Sequence, residues 1–107
     1  MIRTTLRRLF EQGGWTCSEA TDGEDAIAKA RQFRPDVIVL DLSMPVMNGL
    51  TAGNILKHTL PGTPLILFTS YGAILSSEDV RRAGFSASIG KNDAGKLVMT
   101  AQTLVSH

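Results

Sequence analysis

Apolar residues at Ile2, Leu6, Leu9 and Phe10 keep the i, i+4, i+7, i+8 spacing of one buried helix face, with Arg3, Arg7, Arg8 and Glu11 on the remainder. Gly13-Gly14 ends that helix, and Trp15-Thr16-Cys17-Ser18-Glu19-Ala20 is short, β-prone and loosely alternating, which predicts an edge-like strand. Asp22 is a candidate N-cap for a second helix, with Glu24 and Asp25 at its positive end, Ala26, Ile27, Ala30 and Phe33 as inner face, and Arg34-Pro35 as its stop. Val37-Ile38-Val39-Leu40 is an apolar run without alternation, the mark of a parallel strand covered on both faces, and it ends in Asp41.

Further on, Ser43 to Gly49 reads as a loop through Pro45 and Gly49, and Leu50 to Leu60 as a helix facing inward by Ala52, Ile55 and Leu56. Pro61-Gly62 breaks it before a second buried strand, Leu65-Ile66-Leu67-Phe68-Thr69. A helix from about Ser76, with a capping-box pattern to Asp79, closes at Gly84. Phe85 to Lys91 is the last strand candidate, weakened by Ser86, Ser88 and Gly90, and Asp93 can cap a final helix with Leu97, Val98, Ala101, Leu104 and Val105 inward. One helix followed by four rounds of strand and helix predicts an α/β fold: a parallel sheet of four strands with five helices on its two faces.

Length and composition narrow the function classes. With 107 residues there is room for one domain, 1–107, around one core, and 43% hydrophobic against 20% charged residues is ordinary globular usage. A net charge of +1 gives no bulk attraction to nucleic acid or membrane, and Arg3, Arg7 and Arg8 on one helix read as a solvated face rather than a DNA-binding patch. The single Cys17 has no partner for a disulfide or a zinc pair, reads as a buried small hydrophobe, and suits a cytoplasmic setting. No apolar run reaches the roughly 18 residues needed to span a bilayer, and the N-terminus lacks a signal-peptide stretch.

Parallel α/β sheets gather reactive groups beyond the C-terminal strand ends, where loops converge and helix N-termini point. Asp41, Thr69 and Lys91 each end a predicted strand. A carboxylate, a hydroxyl and an ammonium on neighbouring strand ends suit a phosphoryl group formed on the carboxylate, because the other two can hydrogen-bond and neutralise its oxygens. Taken singly, each has a plain structural reading as a loop cap, a strand end and a solvated lysine; only the joint pattern points to chemistry.

Val37 to Gly49, reading Val-Ile-Val-Leu-Asp-Leu-Ser-Met-Pro-Val-Met-Asn-Gly, resembles the phosphoacceptor segment of bacterial response-regulator receivers, in which an aspartate ends the third strand and a Met-Pro...Gly loop follows. Leu67-Phe68-Thr69-Ser70 and Ala83-Gly84-Phe85 before Lys91 are similar to the same family, and Lys91-Asn92-Asp93-Ala94 is similar to the variant in regulators with a C-terminal helix-turn-helix of the LuxR type. The resemblance implies a flavodoxin-like receiver fold and a two-component phosphorelay module that is not itself an enzyme. It implies that Asp41 accepts phosphate from a histidine kinase, Thr69 is the switch residue that hydrogen-bonds the phosphoryl group, Lys91 pairs with it, and the Ser43 backbone carbonyl and Asp41 are Mg2+ ligands.

The sequence also departs from that family. Receivers begin with an apolar strand ending in two or three acidic residues that hold Mg2+, whereas this chain starts inside what corresponds to the first helix, so that the expected receiver is truncated. Magnesium is a hard cation usually held by carboxylates, so its affinity and its charge-spreading contribution are expected to be weak or absent here. Glu19, Asp22 and Asp25 are too far along the pattern to replace the pair. In a strand order of 2-1-3-4-5 the first strand is central, so its absence predicts rearrangement, a homodimer or a strand-exchanged assembly. A mis-assigned start or a cloned fragment would account for the absence equally well. The position three before Lys91, often aromatic in receivers, is Ser88.

Two rival readings follow. One is a phosphorylation-independent pseudo-receiver or dimerising module that uses the fold only for contacts. The other is an aspartate-nucleophile phosphatase of the haloacid-dehalogenase type, which wants a second aspartate two positions after the first; that position is Ser43, which cannot act as the general acid.

Overall fold

A computed structural model of the chain describes residues 2–20, 22–41, 49–69 and 77–105. The elements are α1 (Ile2–Gln12), α2 (Gly23–Phe33), β1 (Ile38–Asp41), α3 (Gly49–Thr59), β2 (Leu65–Thr69), α4 (Ser77–Arg82), β3 (Ala87–Gly90) and α5 (Leu97–Val105), with a 3-10 helix over Lys91–Lys96 between the last two.

Local chemistry sets most of the helix ends. After α1, Gly14 takes a positive φ of 89°, its N–H donates to the Glu11 carbonyl, and the Trp15 N–H reaches back to Phe10. That is a Schellman closure, sealed by the apolar contact such motifs favour: the Phe10 and Trp15 rings meet edge to face with centroids 5.7 Å apart. Helix α4 closes the same way, with Gly84 at φ 99°, Gly84 N–H to Arg81 and Phe85 N–H to Val80. At α2 the expected cap is present: the Asp22 side chain accepts from the Asp25 N–H at 2.8 Å. Its far end is costlier, because Arg34 adopts φ 47°, a left-handed conformation that glycine takes more readily.

The strands pair in parallel in the order β1-β2-β3. Alternation divides β1 and β2 between two cores. Ile38, Leu40, Leu65 and Leu67 face one way and pack with Ile27, Ala30, Ala52, Leu56, Val80 and Phe85 from α2, α3 and the α4 region. Ile66 and Phe68 face the other way, with Val37 and Val39, against Phe10, Trp15, Leu97 and Ala101 from the α1 and α5 side. Unalternating apolar runs are thus alternating in space, each face having its own helices.

Four expectations need correction. The sheet has three strands among the described residues, not four: Trp15 and Cys17 pack into the second core, but Trp15–Ala20 joins no ladder there. It is held by side chains instead, Arg7 donating to Glu19 at 3.1 Å and Lys29 to the Glu19 carbonyl. The last strand covers Ala87–Gly90 rather than Phe85–Lys91, since Phe85 turns into the first core directly after the α4 closure. Asp93 does not cap α5: it lies inside the 3-10 helix at φ −113° and ψ 31°. Phe33 and Val105, assigned to inner faces, are 59% and 40% exposed, each lying in the last turn of its helix where the apolar stripe has run past the core. The capping-box residue Ser76, and the side chains of Ile2 and Leu6, lie outside the described residues.

A methyl group at Gly84 would force a positive φ on an L-residue and approach Lys57 to 2.9 Å. Gly84→Ala is expected to cost about 1–2 kcal/mol in urea denaturation, and Arg34→Gly to gain up to ~1 kcal/mol, because only the first inserts a Cβ at a left-handed cap. Leu67→Ala, at a wholly buried position of β2, should cost about 2–5 kcal/mol by the same measurement.

Candidate functional site

Parallel pairing puts the C-terminal ends of all three strands on one edge of the sheet. Asp41 is the last residue of β1 and lies in register with Phe68; Thr69 is the last of β2 and lies in register with Gly90; Lys91 follows β3 directly. With neighbouring strands about 4.8 Å apart, the three backbone positions form a row at the mouth of the sheet. The side chains of Asp41 and Thr69, and all of Ser43, lie outside the described residues. Lys91 is half-buried and engaged within the fold. It opens the 3-10 helix rather than ending the strand, so its direction is set by the turn and not by sheet alternation.

Glu19, Asp22 and Asp25 are each used structurally. Glu19 pairs with Arg7, Asp22 caps α2, and Asp25 pairs with Lys29 at 3.3 Å. Among the described residues no group of three or more His, Cys, Asp or Glu side chains comes together. Ser88, at the position often aromatic in receivers, is exposed on β3.

The residue that the pattern undervalued is Gly90. It reads in sequence only as a weakness of the last strand, yet the register makes it the neighbour of Thr69. Nothing in a single sequence reports cross-strand partners, which depend on how two separated segments slide against one another.

A response regulator receiver domain model matches residues 1–102. The chain belongs to the response regulator receiver family. Among curated relatives, this receiver is 46% identical over 74 residues to the probable transcriptional regulatory protein TcrX of Mycobacterium tuberculosis, covering 69% of this chain and 30% of that protein. It is 38% identical over 97 residues to a protein-glutamate methylesterase/protein-glutamine glutaminase of Alkalilimnicola ehrlichii, covering 87% of this chain and 25% of the relative. The receiver thus spans less than a third of either relative's length. Among solved structures, the receiver domain of the sensor histidine kinase PA1611 of Pseudomonas aeruginosa, crystallised with a magnesium ion in its active-site cleft, superposes with a TM-score of 0.87 at 21% identity over 98% of this chain and 88% of that one. The fold is accordingly the flavodoxin-like receiver fold, a parallel sheet between two helical layers, here with three strands among the described residues.

Away from the strand ends, burial pushes the Cys17 thiol above its ordinary value, with Glu11 adding to the shift and Arg7 opposing it. Its Sγ lies 3.8 Å from the Arg7 carbonyl, the neutral thiol acting as a weak donor. A raised value keeps the thiol protonated at neutral pH, so alkylation of Cys17 by iodoacetamide should be slower at pH 7 than that of a free cysteine. The gap should close on denaturation, and the folded protein's rate should rise only at a pH above the usual thiol range.

Proposed function

We propose that this receiver accepts a phosphoryl group on Asp41 from the phosphohistidine of a sensor kinase. The observation that carries the reading is the shared edge: the ends of β1 and β2 and the residue after β3 bring Asp41, Thr69 and Lys91 together in backbone position. In the transfer, an Asp41 carboxylate oxygen attacks phosphorus, the phosphorus–nitrogen bond breaks, and the histidine ring recovers its electron pair. Thr69 donates a hydrogen bond to the new phosphoryl oxygens and acts as the switch, while Lys91 balances their charge. In this reading Asp41 and the Ser43 backbone carbonyl would be ligands for Mg2+, which would spread the charge of the transferring group. The chain acts as one signalling domain in the cytoplasm, a setting with which the absence of any described helix long and apolar enough to cross a membrane agrees. It signals through a partner or an attached domain rather than by catalysis of its own. Self-association belongs to the same reading, supported by the outer edge of β1, which no strand covers among the described residues.

The alternative is a contact module that is never phosphorylated. Incubation with acetyl phosphate and magnesium, read by intact mass, separates the two. The receiver reading expects a gain of one phosphoryl group in the wild type, its loss in Asp41→Asn, and a yield that climbs with magnesium without saturating at low millimolar concentration. A folded wild type that gains no mass at any magnesium concentration rejects phosphorylation in favour of the contact module.

A further inference from the structure

The helices that lead into the three strands all end on one edge of the sheet. Helices α2, α3 and α4 each run back to the start of a strand, and those starts lie side by side: the Ile38 N–H donates to the Pro64 carbonyl at 3.0 Å and the Ser86 N–H to the Leu65 carbonyl at 2.7 Å. This edge is opposite the one on which Asp41 and Thr69 end their strands. Each helix brings exposed basic residues to it in or directly after its last turn: Arg31 and Arg34 from α2, Lys57 from α3, Arg81 and Arg82 from α4. The ends of α3 and α4 meet there, since a Cβ at Gly84 would stand 2.9 Å from the Lys57 Cβ, and α2 packs along α3. Over residues 31–37, 57–65 and 81–87 the only acid is Asp36. Arg82 is paired with Glu78 at 2.6 Å, whereas Arg31, Arg34, Lys57 and Arg81 have no ion-pair partner among the described residues.

A basic residue in a last turn complements the helix dipole, and Arg31, Lys57 and Arg81 each do so. Two features at the end of α2 have no such account. Arg34 is held at φ 47° and ψ 65°, where glycine is at ease and an L-side chain is disfavoured, yet its exposed guanidinium reaches no partner among the described residues. Phe33 beside it is 59% exposed. An exposed aromatic ring flanked by unpaired guanidinium groups has the composition of a protein-binding surface, and the sign of the charge selects the partner. We propose that this edge docks an acidic polypeptide segment, with an apolar side chain of the segment against Phe33 and its carboxylates on Arg31, Arg34 and the bases that end α3 and α4. Nucleic acid is the poorer match: Asp36 stands within the edge, and Glu24, Asp25, Glu78 and Asp79 in the first turns of α2 and α4 help to hold the net charge at +1. The docking does not depend on whether Asp41 is phosphorylated.

The whole chain is titrated into a short fluorescein-labelled peptide of glutamate and aspartate with a central leucine, read by anisotropy at low salt, with thermal melting of each variant in parallel. Arg31→Glu/Arg34→Glu should weaken binding about tenfold and Phe33→Ala about threefold to fivefold, while Arg8→Glu/Lys96→Glu, the same change of net charge elsewhere, stays within about twofold of the wild type. Arg34→Gly separates docking from stability: it should melt at or above the wild-type temperature and still bind about threefold more weakly. It also decides the matter if the double reversal does not fold. A folded wild type that does not bind the peptide overturns the inference, as do equal losses in the two charge-reversed proteins or wild-type binding by Arg34→Gly. Tighter binding of a single-stranded oligonucleotide of the same charge overturns it too, and would make the edge a nucleic-acid surface.

Discussion

The two-sided burial of β2 is the constraint on which the molecule depends. Leu65, Ile66, Leu67 and Phe68 are each at most 2% exposed, and they belong alternately to two separate cores. A strand of this kind cannot be moved by one residue without sending every side chain into the wrong core, so its register against β1 and β3 is strongly specified. That register in turn decides that Thr69 stands beside Gly90 and that Asp41 ends level with Phe68. The three strand ends at the mouth of the sheet are thereby placed by hydrophobic packing deep within it.

Around that strand, the helices are held in position by short-range devices of different cost. Two Schellman closures use glycine where the backbone turns left-handed, and in each the residue after the glycine becomes part of a core: Trp15 against Phe10 in one, Phe85 beside Val80 in the other. Gly53 shows the same economy of space, since a Cβ there would come within 2.6 Å of the Phe85 ring. By contrast the polar contacts of the segment after α1 include a single ion pair, Arg7 with Glu19, and a lysine-to-carbonyl bond, beside the packing of Trp15 and Cys17. Such exposed contacts contribute little and are screened by salt. Residues 15–20 are therefore held chiefly by Trp15 and Cys17 in the core that also contains Ile66 and Phe68 of β2.

Much of the architecture was legible along the chain. The apolar runs at 37–40 and 65–69 reported strands buried on both faces, Asp22 and Gly84 marked helix ends, and the Val37 to Gly49 segment carried the family. These signals are local: a run, a cap or a turn depends on residues within a few positions, and the same residues appear in the same roles in the fold. The candidate site was legible as three strand ends because a parallel α/β order obliges those ends to share an edge.

What the chain by itself could not determine was everything that depends on a partner far away in sequence. Trp15–Ala20 has the propensity of a strand, but pairing needs a second edge at the right distance, and only tertiary structure decides whether one is present. Lys91 satisfies the strand pattern, yet the close of α4 at Gly84 and the burial of Phe85 set the frame that ends β3 one residue earlier. Gly90 looks like a flaw until the register shows it beside Thr69. Sequence determined the elements and the family, because local sterics and hydrophobic period suffice for them; the tertiary structure decided which residues became neighbours, because packing two cores onto one strand selects a single register.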